Sequence, residues 1–193
     1  MVQALSERIV TYAVRNNFLK SDQYEEYSYA LNLVLNIFFT DITLILIGII
    51  MSMIWECVVF WLLYKVLRKY CGGYHFSTSL RCYLSSCVMC PIVLLVIRYV
   101  PYNIWLWSIA MTAAAVTLLV LSPVPALNKP LDEKETELFG RVAKILTLAV
   151  TLFYIVMVIF NFYGMAKIIS LSVVCVMIFV VVGKLALCGK KSF

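Results

Sequence analysis

Uncharged apolar runs alternate with short polar stretches along most of the chain. Residues 83–97 carry no charge and are extended at their front by 79–82. Residues 104–122 are nineteen uncharged positions, 145–166 are twenty-two, and 168–183 are sixteen, between Lys167 and Lys184. About twenty residues at roughly 1.5 Å each cross a hydrocarbon core, so each run predicts a membrane helix. Residues 27–64 are apolar except for Asp41 and Glu56. As one helix they would run roughly 57 Å, close to twice a bilayer core. Two short crossings turning near Gly48 fit that length, and so does an interfacial helix followed by one long span. In residues 1–26, Leu5, Ile9, Tyr12 and Ala13 recur at helical spacing with Glu7, Arg8 and Arg15 on other faces. That pattern predicts an amphipathic helix on the membrane surface, although an ordinary cytoplasmic helix would read the same way.

Composition makes lipid the solvent. Of 193 residues, 64% are hydrophobic and 13% charged, against about 25% charged in a typical soluble domain; mean hydropathy is +0.97. The net charge of +6 fits cytoplasmic loops facing anionic lipid better than nucleic acid, because no basic stretch is both long and free of apolar residues. The start MVQALSERIV has no basic region followed by an apolar one and a cleavage site, so no cleaved signal peptide is expected. Lys65, Arg68, Lys69 and Arg81 crowd one loop, and Lys129, Lys134, Arg141 and Lys144 another. Arg8, Arg15 and Lys20 mark the N-terminus, and Lys184, Lys190 and Lys191 the C-terminus. The positive-inside rule then places both termini and both loops in the cytoplasm. An even number of crossings must precede residue 65. The expectation is an all-α polytopic protein with six transmembrane helices; four plus an N-terminal interfacial or re-entrant hairpin is the alternative. It forms a single integral membrane domain over 1–193, with an amphipathic region at 1–26, a catalytic loop at 65–81 and a second cytoplasmic loop at 122–144.

Chemistry concentrates in the first loop, which reads Arg-Lys-Tyr-Cys-Gly-Gly-Tyr-His-Phe-Ser-Thr-Ser-Leu-Arg-Cys from Arg68 to Cys82. His75 is the chain's sole histidine. A cysteine hydrolase needs a thiolate and a base to generate it, and histidine is the usual base. On a straight helix, positions seven apart share a face but lie about 10.5 Å apart along the axis, too far for a hydrogen bond. Gly72 and Gly73 permit backbone angles closed to other residues, and the Ser/Thr run at 77–79 supplies a helix N-cap. His75 is thus expected on a loop that can fold back. Cys82 is expected in the first turn of the following helix, where the macrodipole favours thiolate. A lone histidine is more often structural, and most of the seven cysteines (Cys57, Cys71, Cys82, Cys87, Cys90, Cys175 and Cys188) read as small buried hydrophobes. Cys71 competes as a nucleophile but precedes the Gly-Gly turn and lacks a helix start. Cys87 and Cys90 lie deeper in the apolar run. A metal site is not expected, since one histidine cannot build HExxH and the single CxxC, Cys87–Cys90, has no second CxxC to pair with. Asp41 and Glu56 are most simply interfacial acids, though either could orient His75.

Arg68, Gly72-Gly73, His75 and Cys82, with 122–131 (Ser-Pro-Val-Pro-Ala-Leu-Asn-Lys-Pro-Leu) and the acids after it, resemble the accessory gene regulator protein B family. The resemblance covers essentially the whole chain. Its members are membrane cysteine endopeptidases of Gram-positive quorum sensing. It implies a bacterial cell-membrane enzyme, without cofactor, that removes the acidic C-terminal tail of a small precursor peptide. Cys82 would hold the remainder as a thioester, and His75 would serve as base and then acid. A cysteine or serine of the peptide would capture the acyl group to close a ring. Arg68, Arg81, Lys129 and Lys134 are candidate contacts for the substrate, although Asp132, Glu133, Glu135 and Glu137 interleave with those lysines. Backbone N–H groups at the 77–79 helix start are candidate oxyanion donors. A homodimer is an assembly open to a small polytopic enzyme. The competing reading is a small peptide transporter or export component. Transporters tend to show paired repeats and broken helices, which this chain lacks. A lipid-modifying enzyme would need clustered acids for Mg²⁺, and a structural assembly factor would tolerate replacement of both His75 and Cys82.

Overall fold

Lipid offers the backbone no hydrogen-bond partner, so long apolar runs must satisfy their own N–H and C=O groups and fold as helices. The computed structural model describes residues 2–16, 18–74, 76, 78–125 and 132–190 and is all-helical, with no strand among them. In chain order the helices are α1 (Val2–Arg15), α2 (Tyr24–Ile50), α3 (Ile54–Cys71), α4 (Ser79–Tyr99), α5 (Ile104–Leu121), α6 (Glu133–Ile159) and α7 (Tyr163–Lys190). Five of them (α2, α4, α5, α6 and α7) are long and apolar enough to cross a bilayer. The chain is a multi-pass membrane protein. α3 packs in the same bundle but carries Glu56, Lys65, Arg68 and Lys69, which keeps it out of that five.

The segment 27–64 folds as a hairpin, with α2 and α3 side by side and the turn over residues 51–53, where Ser52 takes φ 53°. The turn therefore lies beyond Gly48. Gly48 instead lets the two helices touch, since a Cβ there would fall 2.9 Å from Cys57 Cβ. Asp41 is paired across this hairpin. Its carboxylate accepts from Lys65 Nζ at 3.0 and 2.8 Å and from Trp61 Nε1 at 2.8 Å, binding α2 to α3. An acid inside an apolar helix is costly unless paired in this way.

Both charged loops are shorter than their charges suggest. Lys65, Arg68 and Lys69 ride on the last turns of α3, where cations complement the helix dipole. The α3–α4 loop is left with residues 72–78. Likewise α6 starts at Glu133, capped by Asp132 with Glu135 completing a capping box, so a polar stretch of about three turns precedes Ile145. The α6–α7 turn falls at residues 160–162, with Asn161 at φ 61°. Lys167, which its charge places in that turn, belongs to α7.

α7 is the central post of the bundle. Of its most apolar stretch, 56% is buried within the protein, against 11–28% for the other four spans. Ile169, Val173, Val176 and Val180 follow one another at helical spacing along its buried face. They meet Phe60, Tyr64 and Leu67 of α3 and Met111, Ala114 and Leu118 of α5 in one core.

Candidate functional site

The sequence from Arg68 to Cys82 ends one helix, crosses a loop and starts another, and each step has a local cause. α3 stops at Gly72, whose φ is +72°, and Gly73 follows at +112°. A side chain would resist both angles. The loop is then fixed by its backbone. Val124 N–H donates to Cys71 O at 3.0 Å, Gly73 N–H donates to Val124 O at 2.9 Å, and Tyr74 N–H donates to Phe179 O on α7 at 2.8 Å. The first two bonds make a short bridge between the α3–α4 loop and the α5–α6 linker. The two segments carrying the distinctive motifs, far apart in sequence, are thus hydrogen-bonded to each other.

Arg68 completes the clamp. Its guanidinium donates to Gly72 O at 3.1 Å and to Tyr74 O, and lies over the Phe179 ring at 4.3 Å. Two donors of the fork go to loop carbonyls, so this side chain shapes the loop. Its charge remains within electrostatic reach of the Cys82 thiol.

α4 begins as the Ser/Thr run predicts. Thr78 is extended (φ −129°, ψ 142°) and its hydroxyl accepts from Arg81 N–H at 3.4 Å. Cys82 N–H donates to Thr78 O at 3.2 Å, so Cys82 occupies the first turn, and its side chain is exposed. The other cysteines are placed differently. Cys71 is fully buried and faces Ser122 and Thr147. Cys57 and Cys90 are buried against each other, Sγ to Sγ 3.5 Å. Cys87 and Cys175 are part-buried. Cys188 is exposed, near the C-terminal end of α7, where the dipole disfavours a thiolate.

Of the remaining expected residues, Arg81 is exposed on the first turn of α4, and Lys134 is exposed on the first turn of α6 among Glu133, Glu135 and Glu137. His75 and Lys129 lie outside the described residues. Among those described, no group of three or more His, Cys, Asp or Glu residues could hold a metal ion.

Three residues that shape the site have no obvious chemistry: Val124, Phe179 and Gly183. A Cβ at Gly183 would fall 2.5 Å from Tyr74 N and 2.7 Å from Gly73 C. Only glycine lets the loop lie against the α7 backbone. The glycine closing the apolar run at 168–183 was the available signal, although Gly164 in the run before it meets no neighbour. Gly140 plays a similar part on α6, where a Cβ would meet Pro123 Cδ at 3.2 Å.

A family model described as Accessory gene regulator B matches residues 6–180, most of the chain and both loops of the site. No curated protein and no solved structure matches the chain.

Proposed function

This chain belongs to the accessory gene regulator B family, which places it in quorum-sensing peptide processing, and we propose that it is the cysteine endopeptidase of that process, with Cys82 as nucleophile and His75 as base. The observation that carries this reading is the position of Cys82: exposed, on the first turn of a capped helix, beside a loop clamped by Arg68, Val124 and α7. The burial of Cys71 favours Cys82 over its nearest competitor.

His75 takes the Cys82 thiol proton, and the thiolate adds to the scissile carbonyl of a small precursor peptide. Collapse of the tetrahedral adduct breaks the C–N bond, and His75 passes the proton to the departing amine of the acidic C-terminal tail. The N-terminal portion remains as a thioester on Cys82. A cysteine thiol or serine hydroxyl within the bound peptide then attacks that thioester. Its proton returns to the Cys82 sulfur by way of His75, and a cyclic thiolactone or lactone leaves. The N–H groups of Ser79 and Leu80 open α4, where a helix has no internal acceptors for them, and serve as oxyanion donors. Arg81, Lys129 and Lys134 attract the acidic tail, while Arg68 is a positioning residue for the loop.

The loop end of the bundle faces the cytoplasm of the bacterial cell. It collects Lys65, Lys69, Arg81, Lys134, Arg141, Lys144 and Lys184, whereas Arg98 and Lys167 at the opposite end are turned onto backbone carbonyls. That asymmetry supports the orientation under the positive-inside rule.

Co-expression with the precursor peptide, followed by mass spectrometry, tests the proposal. Wild type should release the C-terminal fragment, while Cys82→Ala and His75→Ala should release none at unchanged membrane insertion. Cleavage that survives Cys82→Ala would remove it as the nucleophile.

A further inference from the structure

The groove between α1 and α2 lies outside the site described above. α1 buries Ser6 and Val10, one turn apart, and packs on α2. It runs back along that helix: Leu5 and Arg8 share a cavity with Phe39, and Arg15 shares one with Tyr24. Tyr24 opens α2, and Phe39 lies about 22 Å further along its axis. The cavities, of about 480 Å³ and 310 Å³, both include Ala4 and Arg8 in their walls and so adjoin.

Their chemistry differs along that axis. The larger, at the start of α2, presents Arg8 and Arg15 with the hydroxyls of Thr11 and Tyr24, which lie 3.4 Å apart and bridge the two helices. Neither arginine forms an ion pair among the described residues. The acid in this wall, Glu7, accepts from Gln3 Nε2 at 3.0 Å. The smaller cavity, toward the middle of α2, is apolar apart from Arg8, with Val2, Leu5 and Phe39. A cationic, hydroxyl-bearing mouth at the end of a transmembrane helix, opening into an apolar slot toward its middle, has the polarity and orientation of a lipid in its leaflet.

We propose that this groove binds an anionic phospholipid, with its phosphate on Arg8 and Arg15 and an acyl chain along Leu5 and Phe39. An acidic peptide satisfies the arginines but leaves the apolar slot unfilled, so lipid accounts for both halves. Bound there, the lipid fastens α1 to α2.

The test is lipid retention by the full chain in native mass spectrometry, after delipidation and addition of phosphatidylglycerol or phosphatidylcholine. Phosphatidylglycerol should be retained and phosphatidylcholine should not. Arg8→Gln with Arg15→Gln should weaken retention roughly thirtyfold, from the usual contribution of a cation at an anionic surface. Ala4→Trp, which fills the junction of the cavities with both charges kept, should also abolish retention. Lys144→Gln on α6 should leave it unchanged. All of these positions are exposed. Equal retention of the two lipids, or retention unaltered in the double variant, would overturn the proposal. So would glycerol phosphate binding as tightly as the lipid, which would make the groove a site for free anions. Displacement of phosphatidylglycerol by a short glutamate peptide would assign the groove to an acidic peptide instead. Equal retention of the two lipids by the unaltered chain overturns the proposal even where a variant fails to fold, and the variants that do fold place the retained lipid in the groove.

Discussion

The contacts that join separate segments differ between the two ends of the helical bundle. At the loop end, backbone meets backbone: Cys71, Gly73 and Tyr74 are bonded to Val124 and Phe179, and Gly183 leaves room for the contact. At the far end, side chains close the helix termini. Lys167 Nζ donates to Ile97 O at 2.8 Å and to Val100 O, at the C-terminus of α4, and Arg98 donates to Met51 O at 2.8 Å. Asn103 Oδ1 accepts from Trp105 and Leu106 N–H, capping α5. Tyr154 OH lies 3.0 Å from Tyr102 OH and 3.1 Å from Ser108 Oγ. A closed end of this kind spends its polar groups on itself. The loop end presents an exposed thiol, Cys82, beside a backbone-built loop, and that is where chemistry can happen.

The sharpest way to break this contrast is at the thiol. Cys82→Ala should reduce precursor cleavage to background while thermal unfolding in detergent stays within about 0.5 kcal/mol of wild type, as for an exposed substitution. A large loss of stability would mean that the loop end is also a structural staple.

Next in size is Gly183→Leu, a change on α7 that touches no reacting group. The side chain must push Gly73 and Tyr74 off the helix, breaking the Tyr74 N–H bond to Phe179 O. A displacement of about 1 Å at a catalytic loop can cost roughly a hundredfold, and cleavage should fall by about that much in single-turnover assays. Unaltered cleavage would show that the loop does not need the α7 backbone.

Arg68→Lys should cost less, roughly tenfold, because a lysine keeps the charge but cannot bond Gly72 O and Tyr74 O together from a planar fork. Arg68→Gln, which loses the charge as well, should be worse. If the two variants are equal, geometry alone is what Arg68 supplies.

How much of this was legible in the sequence follows from how local each feature is. The Thr78 cap and the first-turn position of Cys82 depend on a few adjacent residues, and the spans depend on runs of about twenty; both were readable. Charge misled wherever a helix carried it. Lys65, Arg68 and Lys69 read as loop but finish α3, and Lys167 reads as a turn but sits buried on α7, satisfied by carbonyls some seventy positions earlier. The contacts that set the site, Val124 on Gly73 and Phe179 on Tyr74, join segments about fifty and a hundred positions apart. Neither periodicity nor motif spacing encodes such a meeting. Gly183 was the trace it left, a single glycine in an apolar run.

At the far end the effects should appear in stability and not in turnover. Lys167→Met leaves the Ile97 and Val100 carbonyls without their cation, and should cost about 2 kcal/mol, the range for hydrogen bonds to charged groups. The rate of cleavage by the folded fraction should not change. A slowed reaction at full stability would mean that the two ends are coupled through α7.

The smallest effect belongs to the tyrosines. Tyr102 lies in the turn between α4 and α5, and burial, followed by the Tyr154 hydroxyl beside it, pushes its pKa up. A phenol whose folded pKa is raised binds its proton more tightly in the folded state. Its contribution is therefore fully present below the unfolded value of about 10 and is lost as pH rises through the folded value. Wild type should lose stability progressively above about pH 10, and Tyr102→Phe, which keeps the ring stacked 4.8 Å from Tyr163, should flatten that part of the profile. At neutral pH the same substitution should cost under about 1 kcal/mol, in line with interhelical hydrogen bonds in membranes. A profile that stays steep in Tyr102→Phe would move the high-pH sensitivity elsewhere, and Tyr154→Phe would then separate its hydroxyl from the rest of the network.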